Sequence, residues 1–421
     1  TWVDTEDDEP DEITPMHIYK ALSGIQGEAV TTNQNLVKLA TNIAGEGDSS
    51  VVTQIQKLRI DVDDMGKDVA REFREFAKQV SEIGSKTLIA ALEEEGIETV
   101  IYTGVLPDPT FEVVNQGLDM LRRKNCDAVV AFGGGSAMDA AKVIAVAAAN
   151  KCRPERLAGY FKGRKKPLPF FAVPTTAGTG SEVTIASVIS DDTSHAKAFV
   201  IDSRTIPLAA ALDPRLMQSI PPALTAATGM DALTHALEAY LSTIATPETD
   251  RDAVEAIQLI FNNLPTAFSD GANLQAREAM SLAAFKAGRA FTRASVGYVH
   301  AISHQLGAHY GTAHGLGNAI VLPHVVEFYL PVVRSRLARL AVQLGLGTFT
   351  EHETNLAQKM LNSIIALNQQ LDIPEKAPDL LEADIPAIAA GALKEALLNY
   401  PVPRHLVRRD CEELLRNLLP A

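Results

Sequence analysis

The sequence predicts an α/β part followed by an all-helical part, and three observations predict it. In the first half, apolar runs of strand length alternate with amphipathic segments of helical period, the pattern of a mainly parallel sheet flanked by helices. Glycine-rich turns follow two of those runs, where a strand of an open sheet would pass into the next element. Near Pro221 the texture changes, and long Ala/Leu-rich segments with helical periodicity run to the end with almost no strand signal. The Pro221–Pro222 pair falls at the change, which places an α/β domain at 1–218 and a helical domain at 219–421.

Taken in order, residues 1–60 are the least legible. From about 61 to 93 apolar and charged residues recur at three- and four-residue spacing through DVAREFREFAKQV and KTLIAALEEE, which predicts helix. GIETVIY (96–102) reads as a short strand closed by the turn GVLPDPT, and VVNQGLDMLRRKN as an amphipathic helix. DAVVAF is a buried strand candidate, followed by a glycine turn and the helix SAMDAAKVIAVAAA. LPFFAVP is another buried strand, and SVISD with AFVID reads as a pair. The helical half is carried by LTAATGMDALTHALEAYLSTI, AREAMSLAAFKAGRAF and VRSRLARLAVQLG.

Composition bounds the function. With 421 residues, 46% hydrophobic and 21% charged, the chain can build two cored domains. A net charge of −14 argues against broad attraction to nucleic acid or an anionic membrane. The local basic cluster Lys162, Arg164, Lys165 and Lys166 reads as a solvated loop rather than a phosphate grip. Cys126, Cys152 and Cys411 are widely scattered without CxxC spacing, which points to a reducing compartment and away from disulfides or a thiolate metal site. The N-terminal TWVDTEDDEPDE lacks the basic-then-apolar order of a signal peptide. The apolar tract from Val143, VIAVAAA, is too short to span a bilayer. These features set the expectation of a soluble, cytoplasmic protein with neither nucleic-acid nor membrane partners.

Two segments carry ligand chemistry in the first half. AVVAFGGGSAMDAAK places three glycines between a strand and a helix, where the backbone can approach a ligand and free amides favour a phosphate. Ser136 suits the N-cap of that helix, with Asp139 as the acidic half of a capping box. The spacing is not GxGxxG, so the ordinary dinucleotide fingerprint is absent. PTTAGTGSEVT adds hydroxyls and two further glycines after the next strand, suited to hydrogen bonding with phosphate and ribose.

The second half carries candidate metal ligands. Asp231 and His235 lie four apart in a helical segment, a spacing that stacks both side chains on one face. YVHAISHQLGAHYGTAHGLGNA holds His300, His304, His309 and His314, with His300 and His304 again four apart and His314 beyond a glycine-bearing bend. Several histidines and a carboxylate on otherwise apolar helices need a reason to be buried. Imidazole with carboxylate and no thiolate suits zinc or ferrous iron. The residues alone leave the pairing open among Asp231, His235, His300, His304 and His314.

Jointly, GVLPDPT, GGGSAMDAAK, VPTTAGTGSEVT, TGMDALTHALEAY and YVHAISHQLGAHYGTAHGLGNAIVLPHV resemble the iron-containing (group III) alcohol dehydrogenase family, over roughly residues 95 to 330 with a fainter match to the end, including YPVPRH. The resemblance implies an N-terminal dinucleotide-binding α/β domain, a C-terminal helical domain as in the related dehydroquinate-synthase-like architecture, and a metal in the cleft between them. It selects Asp231, His235, His300 and His314 as ligands of a divalent metal, Fe2+ before Zn2+. It gives His304 a role in proton transfer or substrate contact and leaves His309 without one. Around the cofactor, NAD or NADP, it carries over Asp108, Gly134, Gly135, Ser136, Asp139, Thr175, Thr176, Thr184 and Lys197. The implied activity is hydride transfer between an alcohol or aldehyde and the nicotinamide, in a homodimer or higher homo-oligomer. A polyol dehydrogenase or another member of the same fold such as a dehydroquinate-synthase-like lyase, and a catalytically silent binding protein on that fold, are the alternatives. Upstream of KTLIAALEEEGIETV the family's first strand and its aspartate-ended second strand are not found, so the resemblance does not choose between NAD and NADP.

Overall fold

The computed structural model describes residues 86–192, 197–397 and 399–420. The chain divides into two compact units, Thr1–Ile101 and Tyr102–Ala421. Sequence expectations for 1–60 and for DVAREFREFAKQV lie outside the described residues.

In the first unit the described residues are a helix over 86–94 and an extended tail. Gly96 (φ 74°) ends that helix: its N–H bonds the Glu93 carbonyl and the Ile97 N–H bonds Leu92, a left-handed cap that glycine adopts without a Cβ penalty. The strand expected over 96–102 is not formed. A strand needs a ladder partner, and among the described residues none pairs with this segment; Val100 and Ile101 are exposed.

The second unit begins with GVLPDPT and helix α1 (Phe111–Arg123), capped by the Thr110 hydroxyl. Strand β1 (Val129–Gly133) leads into α2 (Gly135–Asn150). Then come β2 (Gly159–Tyr160), β3 (Phe170–Pro174), β4 (Ala186–Ser190), β5 (Lys197–Ile201) and β6 (Ala209–Ala210). They form two three-stranded sheets, β1-β3-β6 and β2-β5-β4. All pairings are parallel except β4 with β5, the pair read from SVISD and AFVID, which is antiparallel. Strands β2 and β6, two residues each, are too short to leave a pattern in the sequence. The middle strand β3 is buried along its whole length, which is why it reads as an unbroken apolar run.

From Pro222 onward the described residues form helices without a strand: α3 (Pro222–Leu241), α4 (Pro247–Ser269), α5 (Leu274–Ala294), α6 (Tyr298–Tyr310), α7 (His314–Gln343), α8 (Glu353–Gln370), α9 (Ile385–Ala396) and α10 (Arg408–Arg416), joined by turns and loops. Helix α3 packs against α4, α5 and α7, and from Thr225 on nearly every residue is buried. A helix buried all round shows no polar face, and its polar residues must find partners inside. Thr228 and Thr234 do so by donating to the carbonyls of Leu224 and Met230. Among the described residues one helix, α7, has the length and hydropathy of a membrane span, although the sequence shows no 20-residue apolar run; 56% of that window is buried inside the fold, as in a core helix. The basic loop Lys162, Arg164, Lys165 and Lys166 is exposed, as a solvated loop should be.

Candidate metal centre and cofactor turns

The first turn is built by glycine. At Gly133 (φ 151°) an added Cβ would sit 2.8 Å from the Ala137 methyl, so the strand can enter the helix this tightly only without a side chain. The cap expected at Ser136 is not made: Gly134 is the N-cap, without a side-chain bond, and Ser136 lies inside the first turn. The capping-box role of Asp139 fails for the same reason. With the helix starting two residues earlier, its carboxylate turns away and accepts from Ser181 Oγ (2.7 Å) and the Val188 N–H (2.9 Å). The leading amides of α2 therefore have no side-chain cap, as an anion site requires.

The hydroxyl-rich turn lies directly against the glycine turn. The Thr175 N–H donates to the Gly133 carbonyl at 3.0 Å. A Cβ at Gly134 would meet Thr176 Oγ1 at 3.3 Å, and one at Gly135 would meet Thr179 Cγ2 at 2.8 Å. At its far end this turn touches the helical half: a Cβ on Gly178 would meet Thr228 of α3 at 2.7 Å, and one on Gly180 (φ 60°) would sit 2.8 Å from Gly288 Cα of α5. Asp108 and Lys197 form an ion pair of 3.1 Å; burial raises Asp139 and lowers His314, and Lys197 adds a smaller lowering to both. Thr184 is buried and accepts from Lys142 Nζ at 3.0 Å, so its hydroxyl is already engaged.

Four side chains from three helices converge in the second half. Asp231 Oδ1 is the hub, 3.4 Å from His314 Nε2, 3.8 Å from His235 Nε2 and 3.9 Å from His300 Nε2. One donor atom from each of Asp231, His235, His300 and His314 lies within 4.8 Å of all the others. The spacing explains the arrangement. Asp231 and His235 share a face of α3; His300 sits in the first turn of α6; and Gly311 (φ 71°) ends α6 so that α7 starts with His314 facing back. Burial, followed by the neighbouring imidazoles, holds His300 well below its ordinary pKa, and burial likewise lowers His235 and His314. Neutral imidazoles keep the lone pairs that a cation needs, so three histidines and a carboxylate at this separation fit a divalent metal.

Several supporting residues had no sequence signal strong enough to single them out. Glu238 Oε2 lies 2.6 Å from His300 Nδ1, and the same carboxyl accepts from the Gly297 and Val299 amides at 2.8 Å each. It thus turns His300 Nε2 toward Asp231, as outer carboxylates do at metal sites. Burial raises Glu238 to about 8 against those bonds. Its position seven residues after Asp231 on one helix face was the available clue. Asn318, on α7, donates to Asp231 Oδ1 at 2.8 Å. His235 is sandwiched between Phe291 (4.2 Å) and His300 (4.7 Å). His304 stacks on His314 at 5.2 Å, and its Nδ1 is held 2.7 Å from Glu395 Oε1, which also accepts from Tyr400 of the YPVPRH segment. His309 is exposed and donates to the Gln305 carbonyl, apart from the ring.

Comparison with known proteins fits both halves. Residues 76–214 match the family described as iron-containing alcohol dehydrogenase, and residues 225–419 match its C-terminal part. The chain is 44% identical over 311 residues to alcohol dehydrogenase 4 of Schizosaccharomyces pombe, covering 73% of this chain and 72% of that protein. It is 38% identical over 337 residues to the NAD-dependent methanol dehydrogenase of Bacillus methanolicus, covering 80% of this chain and 88% of the relative. Among solved structures, a 1,3-propanediol oxidoreductase superposes with a TM-score of 0.77 at 40% identity, over 80% of this chain and 88% of that one. With both halves matched in order and the Asp/His ring formed from the residues that carry the match, the chain belongs to the iron-containing alcohol dehydrogenase family.

Proposed function

We propose that the chain interconverts small alcohols with their aldehydes or ketones, with a divalent metal at Asp231, His235, His300 and His314 and a nicotinamide dinucleotide at the two turns. The observation that carries this reading is the ring of four donor atoms within 4.8 Å of one another, beside a hydroxyl-rich turn that packs on α3, the helix of Asp231 and His235. When bound, the ion supplies a Lewis acid to the substrate oxygen and the nicotinamide a hydride acceptor or donor.

The chain's own residues supply binding, orientation and a path for the proton. Gly134, Gly135 and Ser136 offer the uncapped start of α2 to the pyrophosphate. Thr175 and Thr176 border it across the turn, and the Asp108–Lys197 pair stands at the crevice. Asp139 and Thr184, whose polar atoms are engaged within the protein, serve the cofactor by holding the second turn in place. Glu238 orients His300. His304 takes the proton released on alcohol oxidation, with Glu395 and Tyr400 fixing its ring. A His304→Gln enzyme with full metal content and unchanged kcat would remove it from that role.

The organisation belongs to the same proposal: residues 1–218 as the cofactor domain and 219–421 as the metal domain. The end of the last strand at Ala210 and the start of unbroken helix at Pro222 support it. Cytoplasmic location and homo-oligomeric assembly extend the resemblance, and light scattering tests the second. The deciding experiment is metal analysis combined with NADH and NADPH absorbance assays over a panel of alcohols and aldehydes, with methanol and 1,3-propanediol included because relatives named for them match this chain. Turnover with neither nucleotide, or full activity in metal-free protein, sinks the reading.

A further inference from the structure

Behind the glycine turn lies a buried polar cluster whose members are not among the metal ligands. Lys142, two turns into α2, is 0% exposed. Its ammonium donates to Thr184 Oγ1 at 3.0 Å and to the Ala186 carbonyl at 2.8 Å. Three residues earlier on the same helix face, Asp139 accepts from Ser181 Oγ and the Val188 N–H. Two side chains of one helix therefore grip the segment Ser181–Val188 at four points, the acid outermost and the base between. Burial raises the carboxyl of Glu182, within that segment, to about 7, and nearby Lys142 offsets part of that rise.

The gripped segment leads on to the metal ring. The Ile185 N–H donates to Thr292 Oγ1 of α5 at 2.9 Å, and the Ile185 carbonyl accepts from Thr205 at 2.8 Å. The residue beside Thr292 is Phe291, whose ring stacks on His235 at 4.2 Å. A buried ammonium with only a hydroxyl and a carbonyl as direct partners is an expensive way to fill a core. An apolar side chain would pack there without the desolvation cost. What the charges add is directionality, since a hydrogen-bonded segment has one position where an apolar contact allows several.

We propose that Lys142 and Asp139 are positioning residues: a clasp on α2 that sets the hydroxyl-rich turn, and through Thr292 and Phe291 fixes its distance from the metal ring. The proposal rests on the reading of the two turns as the nicotinamide cofactor site. The test uses Lys142→Met, Asp139→Asn and the double variant in the full chain. It reads metal content, KM for cofactor and for alcohol, the isotope effect with C1-deuterated alcohol, and backbone amide exchange over 181–188.

With the clasp broken, those amides exchange at least about 10-fold faster and the cofactor KM rises at least about 10-fold, the effect of losing charge-assisted hydrogen bonds. Metal content stays at the wild-type level, the alcohol KM moves less, and the isotope effect on kcat grows. The double variant is no worse than the more severe single one, because both act on one segment. Wild-type exchange over 181–188 in both single variants overturns the clasp. So does a uniform loss of metal, alcohol and cofactor binding together, which marks general damage. Should Lys142→Met fail to fold, Asp139→Asn, which keeps the shape, carries the same comparison. If the wild type turns over with neither nucleotide, the cofactor reading fails, while amide exchange still decides the clasp.

Discussion

Two buried clusters of ionisable groups among the described residues are built in opposite ways. The metal ring draws Asp231, His235, His300 and His314 from three helices onto one point, and burial lowers the pKa of its imidazoles. The clasp sends two side chains of one helix, Lys142 and Asp139, outward to four points on one segment. The ring is arranged to receive a charge from outside, so its donor atoms point inward, where the Asn318 amide meets them. The clasp completes itself, so its polar atoms are spent on hydrogen bonds. Loss of a ring member should therefore abolish binding outright, whereas loss of a clasp member should loosen a position.

The largest effect is expected at the ring. His300→Ala should remove both bound metal and activity, read by metal analysis and the absorbance assay, while the helices stay folded by circular dichroism. A variant with normal metal content would break the contrast. One step out, Glu238→Gln should weaken metal affinity roughly 10–100-fold in chelator competition, the usual cost of losing an outer carboxylate. Gln brings an N–H where Gly297 and His300 need an acceptor, so it cannot keep all three bonds. Unchanged affinity would mean that His300 is oriented by packing alone.

The clasp should show itself in stability against pH. Burial lowers Lys142 from 10.5 to about 8, with Asp139 and Glu182 opposing the shift. Between those values the folded chain binds fewer protons than the unfolded one, so the Lys142 contribution rises with pH across the window and its penalty is fullest below about 8. The denaturation midpoint of the wild type relative to Lys142→Met should climb from pH 8 to pH 10, a change on the order of 1–3 kcal/mol. Glu182, raised to about 7, titrates below that window and leaves it clean. A flat difference would show that the ammonium is not desolvated. The smallest effect belongs to the exposed loop: replacing Lys162, Arg164, Lys165 and Lys166 by Ser should change stability by less than about 0.5 kcal/mol each and leave the cofactor KM unmoved.

Legibility followed the range of the interactions. Asp231/His235 and His300/His304 could be paired from four-residue spacing, since helix geometry alone puts such residues on one face. His304 had the same spacing as the ligands, yet Glu395, ninety-one residues away, holds it beside the ring rather than in it. The strand expected at 96–102 had the right residues, but pairing is a property of the neighbour. Asp139 illustrates the same limit. Three residues after Ser136 it looked like a capping partner, and the helix began two residues too early for that.

Local pattern by itself therefore determined the alternation of strands and helices, the glycine turn, the all-helical second half and the gathering of histidines on helical faces, because each depends on residues within one or two turns. The family motifs added which of those histidines to group with Asp231. Tertiary structure decided that Glu238 orients His300, that Phe291 backs His235, and that Lys142 and Asp139 reach across to Ser181–Val188. These contacts join positions 42 to 62 apart along the chain, Phe291 with His235 included, and burial gives them their strength. Desolvation turns an ordinary lysine, glutamate or histidine into a group that must be held in one place, and no run of neighbouring residues reveals which side chains will lose their water.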